Sequence, residues 1–269
     1  MSPEGKNDCR RSFNKAVAWG YIKTNPFEDV SIGKIRTADW HYITPAEFQS
    51  ITNALNSMIR KGLEEEDKLR SIRLKAFYSV MYGCGLRFGE AANLTWDSHV
   101  LDFESNHIIV TDRKATKTTP PFFVKDYESR IIPMPAWVVK SLLELKNISE
   151  NSCPYLFLSR DCFSRVSSKW KKMVKQDKAD QWKNRDMMHH ALRQFKRYCK
   201  RAGIETNKKL NLHCLRKGYG TNLVNIGTPA NTLQDLMGHS SVLTTMKFYV
   251  NSIDENKKKA VEGLDRLMG

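Results

Sequence analysis

Two β-type runs interrupt a chain whose other patterns are helical. Ile108-Ile109-Val110 and Arg130-Ile131-Ile132 are separated by a polar, proline-containing segment that holds Lys117, which predicts a small antiparallel sheet with a long connecting loop. The expected fold class is mainly α with a small antiparallel β-sheet (α+β).

Helix punctuation sets the rest of the organisation. Phe13, Ala16, Val17, Trp19 and Tyr21 give a helical rhythm from Arg10 to Tyr21, which stops at Thr24-Asn25-Pro26 because proline disfavours continuation. Residues 29–42 have no period and read as a linker. Thr44-Pro45-Ala46-Glu47 is a capping box with proline at the first helical position, so the main domain is expected to start at residue 43 and run to 269. Helices are predicted from Pro45 to about Lys61, from about Glu65 to Tyr82 with a stop at Gly83-Cys84-Gly85, and around Gly89 to Leu94. Two more are predicted over Ala136 to Lys146 and about Asp186 to Ala202. Thr228-Pro229 opens a helix closed by Gly238, and Ser240 or Ser241 opens another. Ser252 and Glu255 box a last one, over 253–269, whose Ile253, Ala260, Val261, Leu264 and Leu267 form an apolar stripe.

Charge narrows the function. The chain carries 44 Lys/Arg against 29 Asp/Glu, a formal net charge of +15, and Arg165 to Lys217 alone holds 17 Lys/Arg and 4 Asp/Glu. A patch of that density suits a polyanion, and nucleic acid is the first partner it implies. Lys169, Lys171, Lys172, Arg193, Lys196, Arg197 and Lys200 are the candidate DNA-contacting residues, although a solvated helical face has the same composition. No run of about 18 apolar residues exists, and the first residues lack an apolar signal core, so the expected location is cytoplasmic and no membrane partner is expected. Six scattered cysteines without a C-x-x-C pair argue against a disulfide framework and a zinc ribbon.

Four short motifs carry chemistry. His213 and Arg216 stand three apart, and on a helix they project from one face, an imidazole beside a guanidinium suited to holding a phosphate. Gly85-Leu86-Arg87-Phe88-Gly89-Glu90 puts an arginine after a glycine turn with a carboxylate three residues on to orient it. Leu236-Met237-Gly238-His239-Ser240-Ser241 places a histidine at a helix junction, with Tyr249 one helix later. Thr116-Lys117-Thr118 puts a lysine in the β-hairpin. Taken singly, each is equally a surface pair, a helix cap or core packing.

Taken together and in this order, Arg87 with Glu90, Lys117, His213 with Arg216, His239 and Tyr249 resemble the set of the tyrosine recombinase family. GLRFGEAANLTW is similar to that family's first arginine box, TKT followed by SRIIPMP to its lysine hairpin, and LHCLRKGYGTNL with LMGHSSVLTTMKFYV to its second box. The resemblance implies the tyrosine recombinase (DNA breaking-rejoining enzyme) catalytic fold over 43–269, and a site-specific recombinase that integrates or excises a phage or mobile element.

Carried over position by position, Tyr249 is the nucleophile that forms a 3′-phosphotyrosine, and Arg87 and Arg216 clamp the scissile phosphate. Lys117 protonates the leaving 5′-oxygen, while His213 accepts the tyrosine proton or binds the phosphate. His239 hydrogen-bonds the phosphoryl group, and Glu90 orients Arg87. Neither a metal nor another cofactor is expected. The implied partners are double-stranded DNA attachment sites, a homotetramer on DNA that is monomeric without it, accessory directionality factors, and a neighbouring protomer for the 253–269 helix; the implied location is the nucleoid. Residues 1–28 resemble the last helix of the family's N-terminal core-binding domain, which makes a truncated chain or a fragment the expectation. Cys214 departs from the family, which often has an aspartate after the box histidine, and Pro120 to Tyr127 lengthens the lysine hairpin. A type IB topoisomerase, a catalytically silent DNA-binding relative and a basic RNA-binding protein are the alternative readings.

Overall fold

In the computed structural model, residues 3–28, 41–60, 64–97, 99–124, 129–149, 153–205 and 210–250 are described. They belong to two units, Met1–Trp40 and His41–Gly269. In the first, helix α1 (Pro3–Ala18) begins and ends earlier than the predicted segment, because Gly20 adopts a left-handed φ of 76° and breaks the turn. Trp19 and Tyr21, counted in the helical rhythm, therefore fall beyond the helix and are exposed. The following loop folds back on α1: Asn25 Nδ2 donates to Asn14 Oδ1 at 2.6 Å, and the Phe13 and Phe27 rings lie 5.2 Å apart.

The second unit opens on the predicted capping box. The Glu47 N–H donates to Thr44 Oγ1 at 3.3 Å and the Thr44 N–H donates to Glu47 Oε2 at 2.8 Å, starting α2 (Pro45–Arg60). One residue earlier, the Ile43 N–H donates to the Cys214 carbonyl at 3.1 Å, tying the start of the unit to the first turn of α8 (His213–Asn225). At the centre is α3 (Glu65–Gly83), whose residues from Ala76 to Gly83 are all buried, as expected of a helix covered on every side. Helix α2, α5 (Ala136–Ile148) and α8 pack round it. Phe48 stacks on Tyr82 at 4.1 Å, and Phe77, Tyr78 and Phe195 are fully buried, each such side chain contributing roughly 1.5–3 kcal/mol.

After the short α4 (Phe88–Ala92) comes a three-stranded antiparallel sheet, one strand larger than predicted. Strand β1 (Leu101–Asp102) pairs with β2 (His107–Val110), and β2 pairs with β3 (Arg130–Pro133). Two residues give too short a pattern for period-2 alternation to expose β1 in the sequence. Leu101, Ile108 and Ile132 line up across the strands and are buried, while Ile131 points to solvent.

Helix α6 (Arg160–Lys175) was not anticipated; its signal is Ser159, whose Oγ accepts the Cys162 N–H at 3.3 Å as an N-cap. The basic helix predicted over Asp186 to Ala202 is shorter, with α7 running Ala191–Arg201. Asn184–Asp186 forms a 3-10 turn, and Met187 is buried in a side cluster with Tyr155 and Val166, which turns the chain before the α-helix begins. Helices α9 (Ala230–Met237) and α10 (Val242–Val250) follow. The predicted helix at 253–269 and linker residues 29–40 lie outside the described residues. Among the described residues no helix is long and apolar enough to cross a membrane.

Replacing Thr44 with Ala removes the side-chain half of the capping box. The expected loss is about 1 kcal/mol, read as a lower urea midpoint with an unchanged slope.

Candidate functional site

The last carbonyls of α9 receive three guanidinium groups. Arg130 Nε donates to Leu236 at 3.3 Å, Arg216 Nη2 to Met237, and Arg87 Nη2 to Gly238 at 2.6 Å. Carbonyls in the last turn of a helix have no intrahelical partner and carry the negative end of its dipole, so cations are stabilised there. The Gly238 carbonyl is brought into position by a left-handed φ of 57°, and a Cβ at Gly238 would meet Arg130 Nη1 at 2.9 Å.

The same three cations share one carboxylate. Arg130 grips Glu90 with two bonds, Nη1 to Oε1 at 3.0 Å and Nη2 to Oε2 at 2.7 Å. Arg87 Nη1 donates to Glu90 Oε1 at 2.9 Å, and the Arg87 backbone N–H donates to Oε2 at 2.8 Å. Arg216 Nη1 lies 3.9 Å from Oε2 and donates to the Gly85 carbonyl. Glu90 sits at the third position of α4 with its side chain 3% exposed. Burial alone would raise its pKa, but the Arg130 hydrogen bonds, the charges of Arg130 and Arg216 and the Arg87 N–H together lower it to about 2. Arg216 is only 1% exposed. Its burial, partly offset by Glu90 and reinforced by Arg87 and Arg130, lowers its pKa to about 9, so it stays cationic at neutral pH.

Both histidines sense this cluster. His213 is the first residue of α8, in the turn that presents unpaired N–H groups. Loss of surrounding water, then repulsion from Arg216, Lys217 and Arg87, brings it down to about 4. His239 follows Gly238, and its Nδ1 lies 2.9 Å from the Oγ1 of Thr245, a fully buried residue of α10. The ring stacks on Phe248 at 5.9 Å. Burial and then the charges of Arg216, Arg87, His213 and Arg130 bring it down to about 4 as well.

Tyr249 follows Phe248 on α10, half-buried; its hydroxyl donates to the Thr228 carbonyl, and burial raises its pKa. Lys117 is exposed in a narrow hairpin closed by the Arg113–Phe122 bridge, inside the longer β2–β3 connection. The structure thus brings Arg87, Glu90, His213, Arg216 and His239 into one cluster, and places Tyr249 beside it in sequence on the helix that packs against α8 and α9.

Arg130 is the residue that sequence reasoning missed. It lies two positions from the buried Ile132 on β3, so it shares the inward face of the strand. A cation on a buried strand face requires a carboxylate partner, and that was the available signal.

Of the candidate DNA-contacting residues, Lys171 and Lys172 are exposed on α6. Arg193, Arg197 and Lys200 share the exposed face of α7, opposite the buried Phe195, Tyr198 and Cys199. Lys196 is half-buried, and Lys169 already neutralises Asp186 at 2.9 Å.

A helical domain with a small sheet thus gathers three guanidinium groups and two histidines around one buried carboxylate, with a tyrosine on the adjoining helix. Residues 41–256 match the family model described as the phage integrase family, and the chain belongs to that family. A XerC-like tyrosine recombinase of Caldanaerobacter subterraneus subsp. tengcongensis is 27% identical over 275 residues, covering 97% of this chain and 64% of that protein. A tyrosine recombinase of Thermosipho africanus is 28% identical over 259 residues, covering 94% of this chain and 71% of its own length. The chain therefore spans about two thirds of the length of these relatives. The Tn1549 transposon integrase, solved with a circular intermediate DNA, superposes with a TM-score of 0.64 at 20% identity, covering 96% of this chain and 77% of that one. XerA recombinase gives 0.56 at 22% identity, covering 98% and 84%. These likenesses establish the tyrosine recombinase catalytic fold.

The pKa shifts define two acid-sensitive windows. His213 and His239 titrate near 4 when folded against an ordinary 6.5, so the folded state binds fewer protons and loses stability as pH falls from 6.5 towards 4. Glu90, near 2 against 4.5, adds a second loss as pH falls from 4.5 towards 2. Urea midpoints measured from pH 7.5 downwards are expected to fall in both windows. His239→Gln should remove part of the upper loss, and Glu90→Gln the lower one.

Proposed function

We propose that this protein is a site-specific DNA recombinase (integrase) that cleaves and rejoins DNA through a 3′-phosphotyrosine, integrating or excising a phage or mobile element. The observation that carries the reading is the gathering of Arg87 and Arg216 on a buried carboxylate, with His213 and His239 close enough to feel both arginines and Tyr249 on the next helix. Family membership supports it, as does the DNA held by the Tn1549 integrase.

In this mechanism Tyr249 releases the Thr228 carbonyl and its oxygen bonds to the phosphorus, while the bond from phosphorus to the 5′-oxygen breaks. His213, neutral at pH 7, takes the phenol proton, and Lys117 gives a proton to the departing 5′-oxygen. Arg87 and Arg216 bind the non-bridging oxygens and stabilise the added charge of the transition state, and His239 hydrogen-bonds the same group. Attack by a 5′-hydroxyl on the phosphotyrosine reverses every step, so the bond energy is conserved and no nucleotide is consumed. Lys171, Lys172, Arg193, Arg197 and Lys200 bind backbone phosphates and set the position of the duplex without reading its sequence. Residues 1–28 act as the last helix of a core-binding domain. Four copies assemble on paired attachment sites with the 253–269 helix docked on a neighbour, accessory factors set direction, and the protein works at the nucleoid.

The test is covalent trapping on nicked duplexes carrying candidate attachment sequences, with EDTA present. Wild type is expected to give a covalent adduct that Tyr249→Phe abolishes and that Arg87→Lys slows by about 10²–10³-fold. Bound DNA without an adduct, or an adduct that survives Tyr249→Phe, overturns the reading. Relaxation of supercoils without joining of two duplexes would assign a topoisomerase instead.

A further inference from the structure

Lys117 sits on an exposed loop, yet a general acid works only when held near the atom it protonates. Two side chains fasten that loop. Arg113, at its base, donates from Nη1 to the Asn93 carbonyl at 2.7 Å, and from Nη2 to Asn93 Oδ1 at 2.9 Å and to the Tyr155 hydroxyl at 3.0 Å. Its guanidinium also lies 4.9 Å from the Tyr155 ring centre. Asn93 caps the end of α4, the helix that carries Glu90, and its Nδ2 donates to the Gly89 carbonyl at 2.8 Å. On the other side, Trp170 of α6 donates from Nε1 to the carbonyl of Thr116, the residue before Lys117, at 3.0 Å. Within the loop, the Arg113 and Phe122 backbones exchange bonds at 2.8 and 2.9 Å, and the Thr116 and Thr119 hydroxyls lie 2.6 Å apart.

We infer that Arg113 and Trp170 are positioning residues for Lys117: Arg113 fixes the loop to the helix that orients Arg87, and Trp170 fixes the backbone next to the lysine. This rests on the recombinase reading above. Swinging the loop leaves the phosphate clamp intact, so the defect of a variant should be confined to leaving-group protonation.

Nicked DNA with an ordinary scissile phosphodiester is compared with the same DNA carrying sulfur at the 5′-bridging position, whose thiolate leaves without needing a proton. Lys117→Ala is the reference, Arg113→Met removes the clamp, and Trp170→Phe removes only the N–H while keeping a ring in place. On the phosphodiester, adduct formation is expected to fall about 10²-fold or more for Lys117→Ala, and about tenfold for the other two. On the sulfur substrate all three are expected to return to within about threefold of wild type, with unchanged DNA affinity. Defects in Arg113→Met and Trp170→Phe that persist on the sulfur substrate, or the absence of any defect on the phosphodiester, overturn this inference while leaving the recombinase reading standing. No wild-type adduct on either substrate overturns both.

Discussion

One buried carboxylate makes the site possible. Arg87, Arg130 and Arg216 would repel one another strongly in the low dielectric around Arg216, and a charge taken out of water needs compensation. Glu90 supplies the charge, and the terminal carbonyls of α9 supply one acceptor to each guanidinium. Much of the surrounding backbone follows from that requirement. Arg87 caps the start of α4, and Glu90, three residues on, reaches back to accept the Arg87 N–H. Gly85, at a φ of 63°, turns its carbonyl to Arg216. Three cations against one carboxylate leave two positive charges uncompensated, and in the proposed reaction the scissile phosphate diester offsets one of them.

The α9 carbonyls give a physical reason for a feature that in the sequence looks like an ordinary helix stop. In the sequence Leu236-Met237-Gly238 reads as the end of a helix before a histidine, and it is that. Its further role lies in main-chain oxygens, which no side-chain pattern reveals. Arg130 was hidden for a related reason: it is separated from Glu90 by forty positions, and only the register of β3 against β2 turns it inward. By contrast, interactions closed within three or four residues were legible, as with Thr44 and Glu47 or Arg87 and Glu90.

The helical elements divide along the same line. α2 and α3 have caps or glycine stops at their ends and match their predicted spans closely. α7 is shorter than its basic composition suggested because the burial of Met187 among residues from elsewhere in the chain overrides local propensity. α6, with its apolar residues thinly spaced among lysines, became visible only once Val166 and Trp170 had something to pack against. Of the 17 Lys/Arg that pointed to nucleic acid, five lie on α6 and five on α7, and the apolar residues of these two helices set which of them remain outward.

The histidines show why the arrangement of charge matters as much as the identity of the residues. An isolated imidazole is half-protonated near pH 6.5, but loss of surrounding water, and after it the charge of the arginines, keeps His213 and His239 neutral well below that. A neutral His213 can accept a proton from a phenol, whereas a charged one cannot. In the proposed reaction the phosphate brings negative charge to the same arginines, which weakens their repulsion of the histidines and raises both pKa values. His213 becomes a better proton acceptor once a phosphate sits among the arginines. The basic function is thereby linked to occupancy: the phenol of Tyr249, which donates to the Thr228 carbonyl, meets its strongest base only when a phosphate is in place.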